Sequence, residues 1–445
     1  MRRPFPSPGL AALARRLWSL GLVLVLASPP ALAARREKPQ QEKIPLPTVE
    51  ALSDGSELVL SLRQGAPWAA LSYVVRTGAQ KDPLSKEGLA HILEHVIFSG
   101  SHDVRGSSFR KAVKIAGGEF NGYTNANSTT FVLQAPAPAF LPLAEQLLRI
   151  ITSPLMNSRV LQREVEIIRS EAASFHSGPG FIEALEDTVF PGPVARSIIG
   201  TDDTRKAVTQ QDLVRFYTQH YVPANTSIVV TGGLEREAVL GLLERGVRLP
   251  PSLPEEFRPA QQIAPLLPVE KAIRAPVSFI AYGHSVAPRD RKTCPAVAAA
   301  MELRLWTQLN IEDPIVSGLQ VQCMSLRGNI FLLALAYSIS VDASTLPDLL
   351  HDAFSDMANK KPLKPAEEKL VAQHLRGLHT QQADDDLQRG TALAQLVAQP
   401  RTEPLTPLEL LRPTEALSRE AVREFARRTF VPESLVVLNF SPFDG

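Results

Sequence analysis

Two stretches of this chain, 209 residues apart, spell out the same helix–turn–strand unit, and that repetition points to a fold built twice. One runs from Val208 to Val230 and the other from Leu417 to Leu438. At a single offset Phe216 falls on Phe425, Tyr221 on Phe430, Val222 on Val431 and Pro223 on Pro432. Each copy opens on a hydroxyl residue suited to a helix N-cap (Thr209, Ser418) with an acid in the first turn. Each then continues through an apolar-periodic helix, stops at proline and leaves as a β-branched strand. Between the copies, Pro250, Pro251, Pro254, Pro259, Pro265 and Pro268 fall so densely that a stiff, extended connector is expected over residues 248–268. The expected architecture is α+β: two homologous domains of similar topology, 45–247 and 269–445, each a mixed sheet with packed helices. The proline-rich linker joins them into a clam-like molecule with a cleft.

In the first half, Glu57–Arg63, Ala69–Arg76 and Thr129–Gln134 read as strands. Leu84–Phe98, Ser107–Ala116, Leu141–Ile151 and Val160–Phe175 read as helices. The order lacks a strict βαβ rhythm, which again gives α+β.

The N-terminus has the pattern of a secretory signal. Arg15 and Arg16 precede the apolar core Leu17–Ala27, and Ala31-Leu32-Ala33 ends the segment, so residues 1–33 are expected to be removed on export to a secreted or periplasmic location. A retained membrane anchor is the competing reading, disfavoured because the core is short for a span. Without those residues the formal charge falls from +1 to −3, and nothing in it calls for nucleic acid or an anionic membrane as a partner. Cys294 and Cys323 are the two cysteines; they can pair in an oxidising compartment or stay as buried thiols.

The chemistry is concentrated in Gly88–Phe98. His91 and His95 are one helical turn apart and project from one face, the spacing at which two imidazoles grip one Zn²⁺. Glu94 stands beside them, placed to take a proton from metal-bound water without ligating the metal. A catalytic zinc needs a third protein ligand. Downstream, Glu164 and Glu171 are two turns apart on one helix face, whereas Glu166 points nearly the opposite way. One of the pair would complete the metal site and the other would orient a histidine through a hydrogen bond. Taken alone, these acids would more often be a solvated helix face; they gain weight beside His91 and His95.

Gly117-Gly118 leads into Glu119–Thr124, a short alternating strand that reads as an exposed edge near the metal. There an extended peptide can add as a further strand, with the Asn121 amide holding a substrate carbonyl or steadying Glu94. A plain hairpin is the alternative.

The order His91-x-x-Glu94-His95 inverts the common zincin motif. The sequence resembles the pitrilysin or insulinase-type metallopeptidases, in particular the small bacterial branch similar to mitochondrial processing peptidase. The resemblance covers nearly the whole chain after residue 33 and is strongest from Gly88 to Glu171. It implies one zinc per chain, with Glu171 as third ligand and Glu164 as supporting acid. It also implies Phe120, Asn121 and Thr124 as substrate-binding residues in a stretch where the family has G-G-x-x-N-A-x-T. Gly122 stands where that pattern has alanine.

In complete enzymes of this kind the second domain supplies an arginine and a tyrosine that bind the substrate carbonyl. The best counterpart, Asp313–Val321, has Pro314 and Val321 at those places, and Leu335-Ala336-Tyr337 reads as core strand. The sequence therefore implies a secreted zinc metalloendopeptidase acting on extended or unfolded peptides, with Glu94 as general base. It would be the zinc-bearing subunit of a pair whose homologous partner supplies the arginine and tyrosine. The competing readings are a non-catalytic peptide-binding or scaffold homologue and a zinc-storage protein, the latter disfavoured because storage needs no base.

Overall fold

The computed structural model describes residues 46–174, 181–190, 197–246, 264–274, 279–312, 315–326, 329–337, 345–359, 363–398 and 417–441. The signal-like segment 1–33, most of the linker (248–263) and Asp313-Pro314 lie outside them. Among the described residues eleven strands form two sheets. The first holds β1 (Thr48–Ala51), β2 (Glu57–Leu62), β3 (Trp68–Val75), β4 (Glu119–Thr124), β5 (Thr129–Pro136) and β6 (Thr226–Gly232). The second holds β7 (Val269–Arg274), β8 (Phe279–Val286), β9 (Gly318–Leu326), β10 (Asn329–Tyr337) and β11 (Leu435–Ser441).

Thirteen α-helices are present among the described residues. In the first half they are α1 (Leu89–Phe98), α2 (Gly106–Ile115), α3 (Ala137–Thr152), α4 (Ser158–Ser174), α5 (Phe181–Val189), α6 (Asp202–Lys206), α7 (Gln210–His220) and α8 (Arg236–Gly246). In the second half they are α9 (Cys294–Trp306), α10 (Leu346–Ala358), α11 (Pro365–Asp384), α12 (Asp386–Ala398) and α13 (Arg419–Thr429).

The sheets repeat one topology. The orders β2-β6-β3-β5-β4 and β7-β11-β8-β10-β9 superpose strand for strand, and each has one parallel pair followed by antiparallel neighbours; β1 is an addition to the first. The repeated sequence unit accounts for the middle of both sheets. Thr209 and Ser418 cap α7 and α13 by accepting from Asp212 N–H and Ala421 N–H. Both helices end at an aromatic residue in the same backbone conformation, Tyr221 (φ −88°, ψ 69°) and Phe430 (φ −85°, ψ 63°). A proline-led 3-10 turn then feeds β6 and β11. All of β6 is buried, as a β-branched central strand should be.

The halves exchange a helix. Leu393, Ala394 and Val397 of α12 cover Val59, Val74 and Val229 on the outer face of the first sheet. Reciprocally, Ala184, Leu185 and Val189 of α5 pack on Phe331, Leu333, Val436 and Leu438 of the second. Each fully buried aliphatic side chain in these seams contributes about 1.5–3 kcal/mol, so the exchange couples the halves strongly. A buried polar knot adds direction. Asp386 accepts from Arg63 (2.6 Å) and from Arg389, Arg389 Nε donates to Ser61 Oγ (2.8 Å), and Thr231 Oγ1 donates to the Asp386 carbonyl (2.7 Å). Cys294 and Cys323 form a disulfide, with Cα atoms 6.1 Å apart, tying the start of α9 to edge strand β9.

One sequence expectation is shortened. The helix anticipated from Leu84 begins at Leu89. Ser85 (φ 64°) and Gly88 (φ 97°) adopt left-handed backbone, and the Asp82 carboxylate accepts from Gly88 N–H (2.8 Å) and Ala90 N–H (2.9 Å), which caps the helix there.

Candidate metal centre and peptide edge

Helix α1 buries Leu89, Ile92, Leu93 and Val96 in the first core, which turns His91 and His95 toward α4. Their rings stand nearly perpendicular with centroids 4.8 Å apart. Two turns of α4 bracket His95 between carboxylates: Glu164 Oε2 is 3.5 Å from Nδ1 and Glu171 Oε2 is 3.6 Å from Nε2. Glu166, on the other side of α4, pairs with Arg169 in solvent.

His91, His95 and Glu171 each offer a ligand atom, all within 4.8 Å of one another. Ligands about 2.0–2.1 Å from a tetrahedral zinc stand about 3.3 Å apart. The His95–Glu171 separation of 3.6 Å is therefore near the span of an ion, and it is too long for a good hydrogen bond. His91 Nδ1 is buried and has no hydrogen-bond partner among the described residues. Burial first, then the neighbouring His95 and the Arg205 charge, push the His91 pKa down to about 3, so the ring is the neutral imidazole a metal requires. This donor set fits zinc.

Burial also works against a proton on His95. The adjacent Glu164 carboxylate and the charges of Glu94 and Glu171 outweigh it and raise the pKa. Glu164 goes the other way. Burial would raise it, but His95, Arg163 and Ser99 hold it below its ordinary value. Ser99 Oγ donates to Glu164 Oε1 (2.8 Å), as does Arg163 Nη2 (2.7 Å). Two donors thus fix the carboxylate that faces His95 Nδ1.

Glu94 is buried (7% exposed), and burial raises its pKa to about 7 against the opposing effects of Thr124 and His95. Its partner comes from β4, the outermost strand of the first sheet. Alternation along β4 aims Phe120, Gly122 and Thr124 at one face and leaves Glu119, Asn121 and Tyr123 exposed on the other. Thr124 Oγ1 donates to Glu94 Oε2 (2.7 Å). Gly122 leaves the space Glu94 occupies: a Cβ there would lie 2.4 Å from Oε1 and 2.6 Å from Phe98 Cε2.

These positions correct two expectations. Thr124, not Asn121, steadies Glu94; Asn121 is on the opposite face, and its Oδ1 accepts from Gly122 N–H (3.0 Å). The Phe120 side chain packs against Phe98 (5.3 Å) and Phe109 (5.0 Å), so only its backbone faces the edge. Sequence reasoning missed Ser99 and Arg163. Their places, just beyond the motif helix and one residue before Glu164, carry no pattern of their own.

In the second sheet the equivalent edge, β9, differs. Val321 is buried and its N–H donates to Glu302 Oε2 (2.7 Å), so α9 occupies that edge amide. Tyr337 is set against Gly318, where a Cβ would meet its ring at 2.1 Å. Tyr337 thus belongs to the β9–β10 pairing, and the described residues 315–321 carry neither arginine nor tyrosine.

Residues 58–202 match the insulinase family (peptidase family M16). The chain is similar to the mitochondrial cytochrome b-c1 complex subunit 1 of Bos taurus, 22% identical over 207 residues, 46% of this chain and 43% of that protein. It is equally similar to an uncharacterized zinc protease of Rickettsia felis, 22% identical over 179 residues, 40% of this chain and 43% of that one. The match thus spans less than half the length of each relative. A solved protease from Helicobacter pylori has the same fold, with a TM-score of 0.73 at 17% identity, covering 90% of this chain and all of that one. So does a peptidase M16 inactive domain from Pseudomonas fluorescens, with a TM-score of 0.71 at 16% identity, covering 90% and 99%. Members of this fold therefore include both proteases and an inactive domain. Residues 58–202 thus carry an insulinase/pitrilysin-like peptidase M16 domain, and the two-sheet fold is that of M16-like solved structures.

Proposed function

We propose that this chain is a zinc metalloendopeptidase whose metal is held by His91, His95 and Glu171. The observation that carries this is the bracketing of His95 between two carboxylates, with the half-buried His91 one turn away and its buried Nδ1 without a partner among the described residues. The name of the Rickettsia felis relative as a zinc protease supports it. Zinc in such a site supplies Lewis acidity that polarises a peptide carbonyl and acidifies water. The rest falls to the chain. Glu164, fixed by Ser99 and Arg163, holds a negative charge beside His95 Nδ1. Thr124 holds Glu94 Oε2, leaving Oε1 to take a proton from the attacking water and deliver it to the leaving nitrogen. The outer edge of β4 receives an extended peptide through its backbone, which selects unfolded segments over folded ones.

The absence of arginine and tyrosine from the described residues 315–321 supports a homologous partner subunit that completes the carbonyl-binding groups, as does similarity to a protein named as a complex subunit. The disulfide and the signal-like residues 1–33 support action in an oxidising, secreted or periplasmic setting. No helix among the described residues is long and apolar enough to cross a membrane. A second reading, a non-catalytic peptide-binding homologue, is favoured by the same absence and by the inactive solved relative.

The test is cleavage of an unfolded peptide pool by the chain alone and mixed with a homologous subunit, with Glu94→Gln in parallel. The proposal expects cleavage by the mixture that disappears with Glu94→Gln. Full activity of the chain alone would remove the partner, and binding without cleavage in every mixture would establish the second reading.

A further inference from the structure

The first turn of α1 is held from two sides. On one side Asp82 caps it. On the other, residues 197–205 press backbone to backbone against Glu87 and Gly88. A Cβ on Gly88 would sit 2.9 Å from the Ile199 carbonyl oxygen, and one on Gly200 (φ 66°) 2.0 Å from that of Glu87. Only glycines permit this approach. Thr204 Oγ1 ties the contact by donating to the Glu87 carbonyl (2.8 Å).

Arg205 fixes the brace itself. It is buried (4% exposed), its Nη1 donates to the carbonyls of Ile199 (3.0 Å) and Gly200 (2.7 Å), and its Nη2 donates to Asp202. An aliphatic side chain could fill that space, but only a guanidinium fork satisfies two converging carbonyls and a carboxylate together. Its Nε is also buried and has no hydrogen-bond partner among the described residues. Keeping a buried donor unsatisfied carries a cost that packing alone does not explain.

We infer that Arg205 is a positioning residue, which through the Ile199–Gly200 backbone fixes the start of α1 and with it the place of His91 relative to His95 and Glu171. Gly88 accepts the first helical hydrogen bond, from Ile92 N–H (2.8 Å), so a shift at Gly88 reaches His91 within the same turn. The catalytic consequence rests on the metallopeptidase reading; the bracing of α1 does not.

The experiment compares hydrogen exchange of the metal-free wild type, Arg205→Met and Arg205→Lys, with Tyr217→Phe as a control. Tyr217 donates from a buried hydroxyl to the Ile151 carbonyl (2.9 Å), so its loss weakens the same core without touching the brace. In Arg205→Met, amides from Leu89 to Ile92 exchange about tenfold faster or more, those of α3 are unchanged, and Arg205→Lys lies between. In Tyr217→Phe, acceleration is not confined to Leu89–Ile92. Zinc affinity, read by chelator competition on folded protein, then weakens about 10- to 100-fold in Arg205→Met. Unchanged exchange at Leu89–Ile92, or equal acceleration across all helices, overturns the inference. Unchanged zinc affinity despite a loosened first turn overturns its metal-site part. A wild type that binds no zinc would sink the metallopeptidase reading, while the exchange data would still judge Arg205.

Discussion

Replacing Thr124 with valine isolates one hydrogen bond at the heart of the proposed chemistry. Valine keeps the branched shape and the strand propensity of position 124, so β4 retains its pairing with β5. What disappears is the hydroxyl that donates to Glu94 Oε2 at 2.7 Å. Hydrogen bonds to a charged acceptor are worth about 1.5–3 kcal/mol, and Glu94 is too buried for water to replace the donor freely. If that energy serves to hold the carboxylate in its working orientation, kcat falls by about 10- to 150-fold, since 1.36 kcal/mol is a factor of ten. The assay is steady-state cleavage of an unfolded peptide, with the homologous subunit added where activity needs it. Thr124→Ser, which keeps the hydroxyl and loses the methyl, is run beside it. Zinc content should be unchanged in both variants, because position 124 touches the base and not the ligands. Thr124→Ser is expected within about threefold of wild type. The reasoning is refuted if Thr124→Val cleaves like wild type, or if the serine variant is as slow as the valine one, which would assign the effect to packing.

Three other outcomes follow from the same structure. Gly122→Ala would have to move the Glu94 carboxylate by about 0.6 Å to relieve a 2.4 Å approach, so cleavage slows about tenfold with zinc content unchanged; wild-type rates would show that Glu94 has room to yield. Burial alone would raise the Asp212 pKa, but Lys86 and the Thr209 hydroxyl and amide hold it at about 2. Its contribution to stability is complete above the ordinary value of 3.8 and is lost as pH falls toward 2. Asp212→Asn therefore costs about 1 kcal/mol at neutral pH after solvent screening, and the gap closes in acid urea titrations; a gap constant with pH would contradict this. Removing the disulfide with Cys294→Ala and Cys323→Ala frees a loop spanning 29 residues and lowers stability by about 3.6 kcal/mol on chain-entropy grounds. Coincident urea midpoints for wild type and the double variant would show that the bridge constrains little.

Much of this molecule was legible in its sequence because the signals were periodic and local. The i, i+4 histidines, the two acids two turns apart and the repeated helix–proline–strand unit each depend on spacing along a single element. The structure brings His91, His95, Glu164 and Glu171 close together in space. What could not be read depends on contacts between distant segments. The exchange of α5 and α12 between the halves leaves no trace in either helix's own pattern, since any apolar stripe looks alike whichever sheet it covers. The start of α1 was misplaced by five residues because Asp82, Ser85 and Gly88 act through backbone geometry rather than periodicity. Thr124 and Asn121 differ only in which face of β4 they occupy, and a one-residue change of register would have reversed them.

The central claim is that His91, His95 and Glu171 together hold one zinc ion while Glu94 does not. Counting zinc per chain, after metal loading and removal of excess, tests it without reference to substrate or partner. Wild type, Glu94→Gln and Glu166→Gln are predicted to retain one zinc each, and Glu171→Gln close to none under the same chelator challenge. Zinc held equally by Glu171→Gln and wild type, or by neither, would contradict the account.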